Sequence, residues 1–175
     1  MRIRRHLFGL SFVLAIGGLA VAAPRPTAAF DYVANGGFED GIVPWSASPT
    51  VAFDTVDASV VQPRERSSSA RIAVSGSSDF LIRQTSWAGT PAGSYHFSAW
   101  VRITSQSTVV YAEVSERGTL NTITITAPGR PDTWVLLAGD IDVTGFTDVI
   151  ITIGGHGASG DVIYVDDVRF DGGLP

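Results

Sequence analysis

Nearly every segment beyond residue 30 alternates apolar with polar residues and is rich in β-branched side chains, the pattern of strands with one buried side. The alternation predicts strands over residues 51–56, 70–74, 79–85, 94–103, 108–115, 119–126, 134–143, 148–154 and 161–170. Gly, Pro, Ser and Asp punctuate them: Pro63, Ser75-Gly76, Pro91-Ala92-Gly93, Arg117-Gly118, Pro128-Gly129 and the glycine-rich stretch 154–160. No stretch after the first thirty residues carries an apolar stripe at helical spacing. Many short strands with regular turns predict an all-β fold, an antiparallel β-sandwich of jelly-roll type.

Alternation also sorts side chains by face. Tyr95, Phe97, Ala99 and Val101 should face a core, leaving His96, Ser98, Trp100 and Arg102 on the other side. Val110, Ala112 and Val114 should point inward, leaving Tyr111, Glu113 and Ser115 outward. Val149, Ile151 and Ile153 leave Ile150, Thr152 and Gly154. The expectation is one open face carrying His96, Trp100, Arg102, Tyr111, Glu113 and Thr152, with Trp87 at a loop tip beside it. Flat aromatic rings stack on the C–H faces of sugars, and short polar or forked charged groups bind their hydroxyls. Trp45 and Trp134 read as core.

The amino terminus changes the picture of where the chain works. Arg2, Arg4 and Arg5 precede an apolar run over residues 7–23, and Ala20-Val21-Ala22 and Thr27-Ala28-Ala29 offer small-residue cleavage sites. Residues 1–29 are read as a signal peptide and short linker, and 30–175 as one domain, secreted to the extracellular space or periplasm. The competing reading, an uncleaved anchor, has to accommodate a run short for a bilayer of about 20 helical residues and interrupted by Gly9, Gly17 and Gly18. All twelve basic residues are arginines, four of them at or before residue 29. The remaining eight face seventeen acids, a net charge of −9 from Phe30 onward. Such a surface repels nucleic acid and anionic lipid, and suits neutral glycans or calcium. No cysteine is present, so no disulfide supports the fold.

Catalytic signatures are sparse. Beyond the leader there are two histidines, His96 and His156, with no thiol, no G-x-S-x-G elbow and no zinc spacing. A glycosidase needs two carboxylates across a cleft, and Glu113 has no evident partner on its face.

Two segments place carboxylates among apolar strand residues, where they need pairing or a metal: Asn35-Gly36-Gly37-Phe38-Glu39-Asp40-Gly41, followed by Pro44-Trp45, and Tyr164-Val165-Asp166-Asp167-Val168-Arg169-Phe170 near the end. Together they resemble the boundaries of carbohydrate-binding modules appended to cellulases and xylanases, a galactose-binding-like jelly roll. The resemblance covers nearly the whole chain after Phe30. It implies a non-catalytic polysaccharide-binding domain with a structural calcium held by Glu39 and Asp166, with Asp167 as the alternative ligand. Backbone carbonyls near Gly37 and in the 66–69 loop would complete the shell. The plain alternative is that these acids cap turns or pair with Arg71 or Arg169. Two other functional readings stand beside glycan binding: an extracellular structural or adhesive domain lacking a sugar site, and a small polysaccharide-active enzyme.

Overall fold

The structure, a computed structural model, describes residues 30–172 other than 77, 87, 88, 120 and 128. The leader and Trp87 therefore lie outside the described residues. Among the described residues eleven strands form two antiparallel sheets packed face to face. They are β1 (Phe30–Asp31), β2 (Ser46–Ala47), β3 (Val51–Asp57), β4 (Ser68–Val74), β5 (Ser78–Thr85), β6 (Gly93–Ile103), β7 (Val109–Glu116), β8 (Thr122–Thr126), β9 (Val135–Val143), β10 (Val149–Gly157) and β11 (Val162–Gly172). No helix occurs among the described residues. Every strand expected from alternation is present, and the two-residue β1 and β2 are added.

The first sheet runs β3-β4-β11-β6-β9, with β1 also on β11; the second runs β2-β5-β10-β7-β8. Between them lies one apolar core. Phe97, Ala99 and Val101 of β6, Ile163 and Phe170 of β11, Ala112 and Val114 of β7, and Ile151 and Ile153 of β10 are all essentially inaccessible. Tyr95 stacks on Phe170 with ring centroids 4.9 Å apart, and Tyr32 meets Tyr95 edge-on at 5.4 Å. The first and last strands pair, with Phe30 opposite Gly172 and Asp31 opposite Asp171.

The early glycine motif is a structural corner. Phe38 is fully buried and packs against Trp45 at 5.5 Å. The Asn35 side chain donates to the carbonyls of Gly41 and Val43, and the Asn35 carbonyl accepts from the Trp45 indole. Gly36 lies against the backbone of Val168, whose N–H donates to the Gly36 carbonyl at 3.0 Å; any Cβ there would run into the Val168 carbonyl.

Two expectations need correction. The 154–160 stretch is not wholly a turn, because β10 continues to Gly157. Its glycines serve close approach, since a Cβ on Gly155 would collide with the Val109 carbonyl and stand 2.7 Å from the Phe80 ring. Trp134 is not core: it is half-buried, outside the apolar cluster, and donates its indole N–H to the Gln62 carbonyl at 3.0 Å.

Candidate glycan site

The residues expected on one face divide between two. The chain crosses from one sheet to the other between β6 and β7, so the outward sides of these consecutive strands lie on opposite surfaces of the sandwich. His96, Trp100 and Arg102 occupy the outer face of the first sheet, while Tyr111, Glu113 and Thr152 occupy that of the second. Alternation within each strand holds, and the shared face does not. Trp87 lies outside the described residues.

The outer face of the first sheet is partly covered. The 58–67 connection folds over it, setting the Arg64 guanidinium carbon 3.9 Å above the centroid of the Trp100 ring. Arg102 reaches Asp132 at 3.3 Å, and His96 Nδ1 lies 2.6 Å from Asp140.

The outer face of the second sheet is built in register. One row runs Leu81, Gly154, Tyr111 and Thr126 across β5, β10, β7 and β8; the adjacent row runs Arg83, Thr152, Glu113 and Thr124. Gly154 lets the Tyr111 ring lean across β10. A Cβ at that glycine would stand 2.8 Å from the phenol oxygen and 2.9 Å from the carbon bearing it. A half-exposed aromatic ring is thereby laid against the sheet rather than standing away from it. At one side, Tyr111, Val109, Leu81 and His156 line a groove of about 430 Å³, with His156 Nδ1 2.9 Å from Asp79. At the other side a second groove of similar volume is lined by Pro44, Ser46, Arg83, Thr85, Arg117 and Ile150.

Leu81, Arg83 and Gly154 were missed as site residues. The available signal was an apolar residue, Leu81, in the outward set of a strand whose inward set, Phe80 and Ile82, was already apolar. What no pattern showed was that β5, β10 and β7 are neighbours.

The carboxylates expected to bind metal converge on one loop. Asp166 is fully buried. Its Oδ2 accepts from the backbone N–H groups of Arg64 (2.6 Å) and Glu65 (3.1 Å) and from the Ser69 hydroxyl (3.2 Å), and its Oδ1 from the Asp167 N–H (2.7 Å). Burial pushes its carboxyl above the ordinary value, and these donors oppose the shift. Glu39 accepts from the hydroxyl and N–H of Ser67 and the N–H of Ser68; the Ser67 hydroxyl is the main cause that holds its carboxyl below the usual range. Asp167 turns away at a β-bulge, with φ 49°, and pairs with Arg169 at 2.5 Å. Among the described residues no three His, Cys, Asp or Glu side chains gather around one point. Carboxylates are ligands that calcium takes, but the groups this loop turns toward Glu39 and Asp166 are N–H and hydroxyl donors; among the described residues no cationic side chain pairs with Asp166.

The model of a carbohydrate binding domain family matches residues 31–159. No curated protein matches the sequence. Among solved structures, a family 61 carbohydrate-binding module in complex with β-1,4-galactotriose superposes with a TM-score of 0.67 at 22% identity, over 81% of this chain and 98% of that one. The first family 22 xylan-binding domain of Paenibacillus barcinonensis Xyn10C gives 0.61 at 14% identity, over 86% and 99%. A family 16 carbohydrate-binding module gives 0.60 at 17% identity, over 79% and 98%. At these identities the likeness is one of fold.

Proposed function

This chain belongs to the carbohydrate binding domain family, and we propose that it holds its glycan on the outer face of the second sheet, with the Tyr111 ring as the stacking platform. The observation that carries this reading is the ring laid across Gly154. An aromatic face lying along a sheet meets the C–H face of a pyranose, and a residue pair two positions along a strand lies about 7 Å away. That spacing brings Glu113 and Thr152 within reach of the hydroxyls of the same sugar or the next. The two flanking grooves give the surface the length of several sugar units, which fits a polysaccharide better than a monosaccharide.

Binding without catalysis is the reading the carboxylates favour. On this face Glu113 and Asp79 are two strands and four residues apart in register. Their backbones are thus separated by about 10 Å across the strands and about 13 Å along them, whereas paired glycosidase carboxyls stand about 5–9.5 Å apart. Asp79 is also engaged with His156. We place the protein outside the cytoplasm on the strength of Arg2, Arg4, Arg5 and the apolar run that follows. A structural calcium between Glu39 and Asp166, completed by backbone oxygens of the 64–69 loop, belongs to the same proposal.

Affinity electrophoresis through gels containing soluble galactan, xylan or mannan tests the site. Retardation of the chain by at least one polymer, lost in Tyr111→Ala and kept in Trp100→Ala, is the expected result. Retention in Tyr111→Ala with loss in folded Trp100→Ala would move the site to the first sheet.

A further inference from the structure

We infer that the arginine-lined end of this cleft recognises an acidic sugar, a residue bearing a carboxylate or a sulfate ester within the bound glycan. The inference rests on the glycan-binding reading of the same face and adds the chemical class of one subsite.

Arg83 and Arg117 line the same groove of about 430 Å³, and among the described residues no carboxylate lines it with them. From Phe30 onward acids outnumber arginines seventeen to eight, so a groove holding two arginines and no lining acid runs against the composition of the chain. Arg83 is exposed, and its guanidinium makes no hydrogen bond or ion pair among the described residues. Arg71, Arg102 and Arg169, by contrast, are tied to Asp54, Asp132 and Glu65. Arg117 is anchored through one nitrogen to Asp148 at 2.9 Å, which positions its fork and leaves other N–H groups to a ligand. Ile150 and Pro44 supply an apolar wall, against which a charge-assisted hydrogen bond is less screened than in open water. The planar guanidinium fork matches carboxylate and sulfate oxygens in a way that single hydroxyls do not.

The cleft is also polarised, because its far groove holds Asp79 and His156. An acidic residue would therefore fix the direction in which the glycan lies. The surplus of acids elsewhere repels a uniform polyanion, so a neutral backbone carrying isolated acidic residues is the matching ligand.

Matched probes test the assignment by titration calorimetry: a glucuronate-substituted xylo-oligosaccharide against its carboxyl-reduced form, and a sulfated galacto-oligosaccharide against its desulfated form. At low salt, at least one acidic probe should bind about tenfold tighter than its neutral counterpart, with the gap narrowing as ionic strength rises. The responding pair tells carboxylate from sulfate. Arg83→Gln and Arg117→Gln, both exposed positions, should keep the circular dichroism spectrum and bring the acidic-to-neutral ratio toward one. Equal affinities within both pairs, or a ratio unmoved by both substitutions, overturns the acidic subsite while leaving neutral-glycan binding in place. Absence of binding by all four probes and by neutral polysaccharides overturns the parent reading as well.

Discussion

The Tyr111 ring rests on Gly154, and the two residues are directly opposite in register across β7 and β10. The glycine is therefore part of the platform, because any larger residue lifts the ring from the sheet.

Replacing Gly154 with Ala should weaken glycan binding in the same direction as Tyr111→Ala. The added methyl would also stand 3.0 Å from the Phe80 carbonyl, so overpacking should cost about 1 kcal/mol or more of stability. Tyr111→Ala should lose about 1 kcal/mol of binding, the scale of one aromatic contact, with little change in denaturant midpoint. Titration calorimetry and urea unfolding of the two variants separate the effects. Full affinity in Gly154→Ala would remove the ring from the site.

Trp100 is expected to act through stability. With Arg64 over its ring, Trp100→Ala should destabilise the fold, and about 0.5–2 kcal/mol of the loss should be shared with Arg64→Ala in a double-mutant cycle. Additive single losses would show that the stack contributes nothing.

Calcium should raise the melting temperature if it binds only the folded chain, by about 2.7 kcal/mol of stability at a hundredfold excess over Kd. Scanning calorimetry with and without chelator reads the effect, and Glu39→Ala should abolish it while leaving the fold. An unchanged melting temperature in the wild type removes calcium from the account.

Glu116 provides a pH signature of its own. It is buried at the end of β7. The Asn121 amide donates to its carboxylate at 3.0 Å, and the Thr144 hydroxyl and N–H add to this. Together they hold its pKa below the ordinary 4.5, the Asn121 bond contributing most. A carboxyl whose pKa is depressed on folding contributes stability that is complete above 4.5 and lost as pH falls through the folded value. Glu116→Gln should thus be less stable than the wild type at neutral pH, and the gap should close in acid. Urea unfolding at pH 7 and at successively lower pH measures it; a constant gap would show that the carboxylate's charge is immaterial.

The motif around Phe38 shows how much of the fold can be read directly. The resemblance carried by this motif and by the last strand's acids implied that the two segments meet, and Gly36 and Val168 are hydrogen-bonded there. Alternation likewise placed Phe97, Val101, Ala112 and Ile151 inside, and all four are buried. These inferences are local: a strand's two sides are set by the pleat, and burial of one side follows from which residues are apolar.

The candidate site was legible only in part, since Tyr111, Glu113 and Thr152 were placed outward while their neighbours were misassigned. Alternation has no record of which sheet a strand joins. The crossover between β6 and β7 turned Trp100 and Tyr111 to opposite surfaces although both point away from the core. Arg83 and Gly154 reached Tyr111's surroundings through pairings of β10 with β5 and β7, which join residues about 30 to 80 positions apart. Sequence by itself determined the strands and their buried sides. Tertiary pairing decided which outward side chains meet, because hydrogen-bonded register between distant strands depends on how the whole core packs and not on any one strand's pattern.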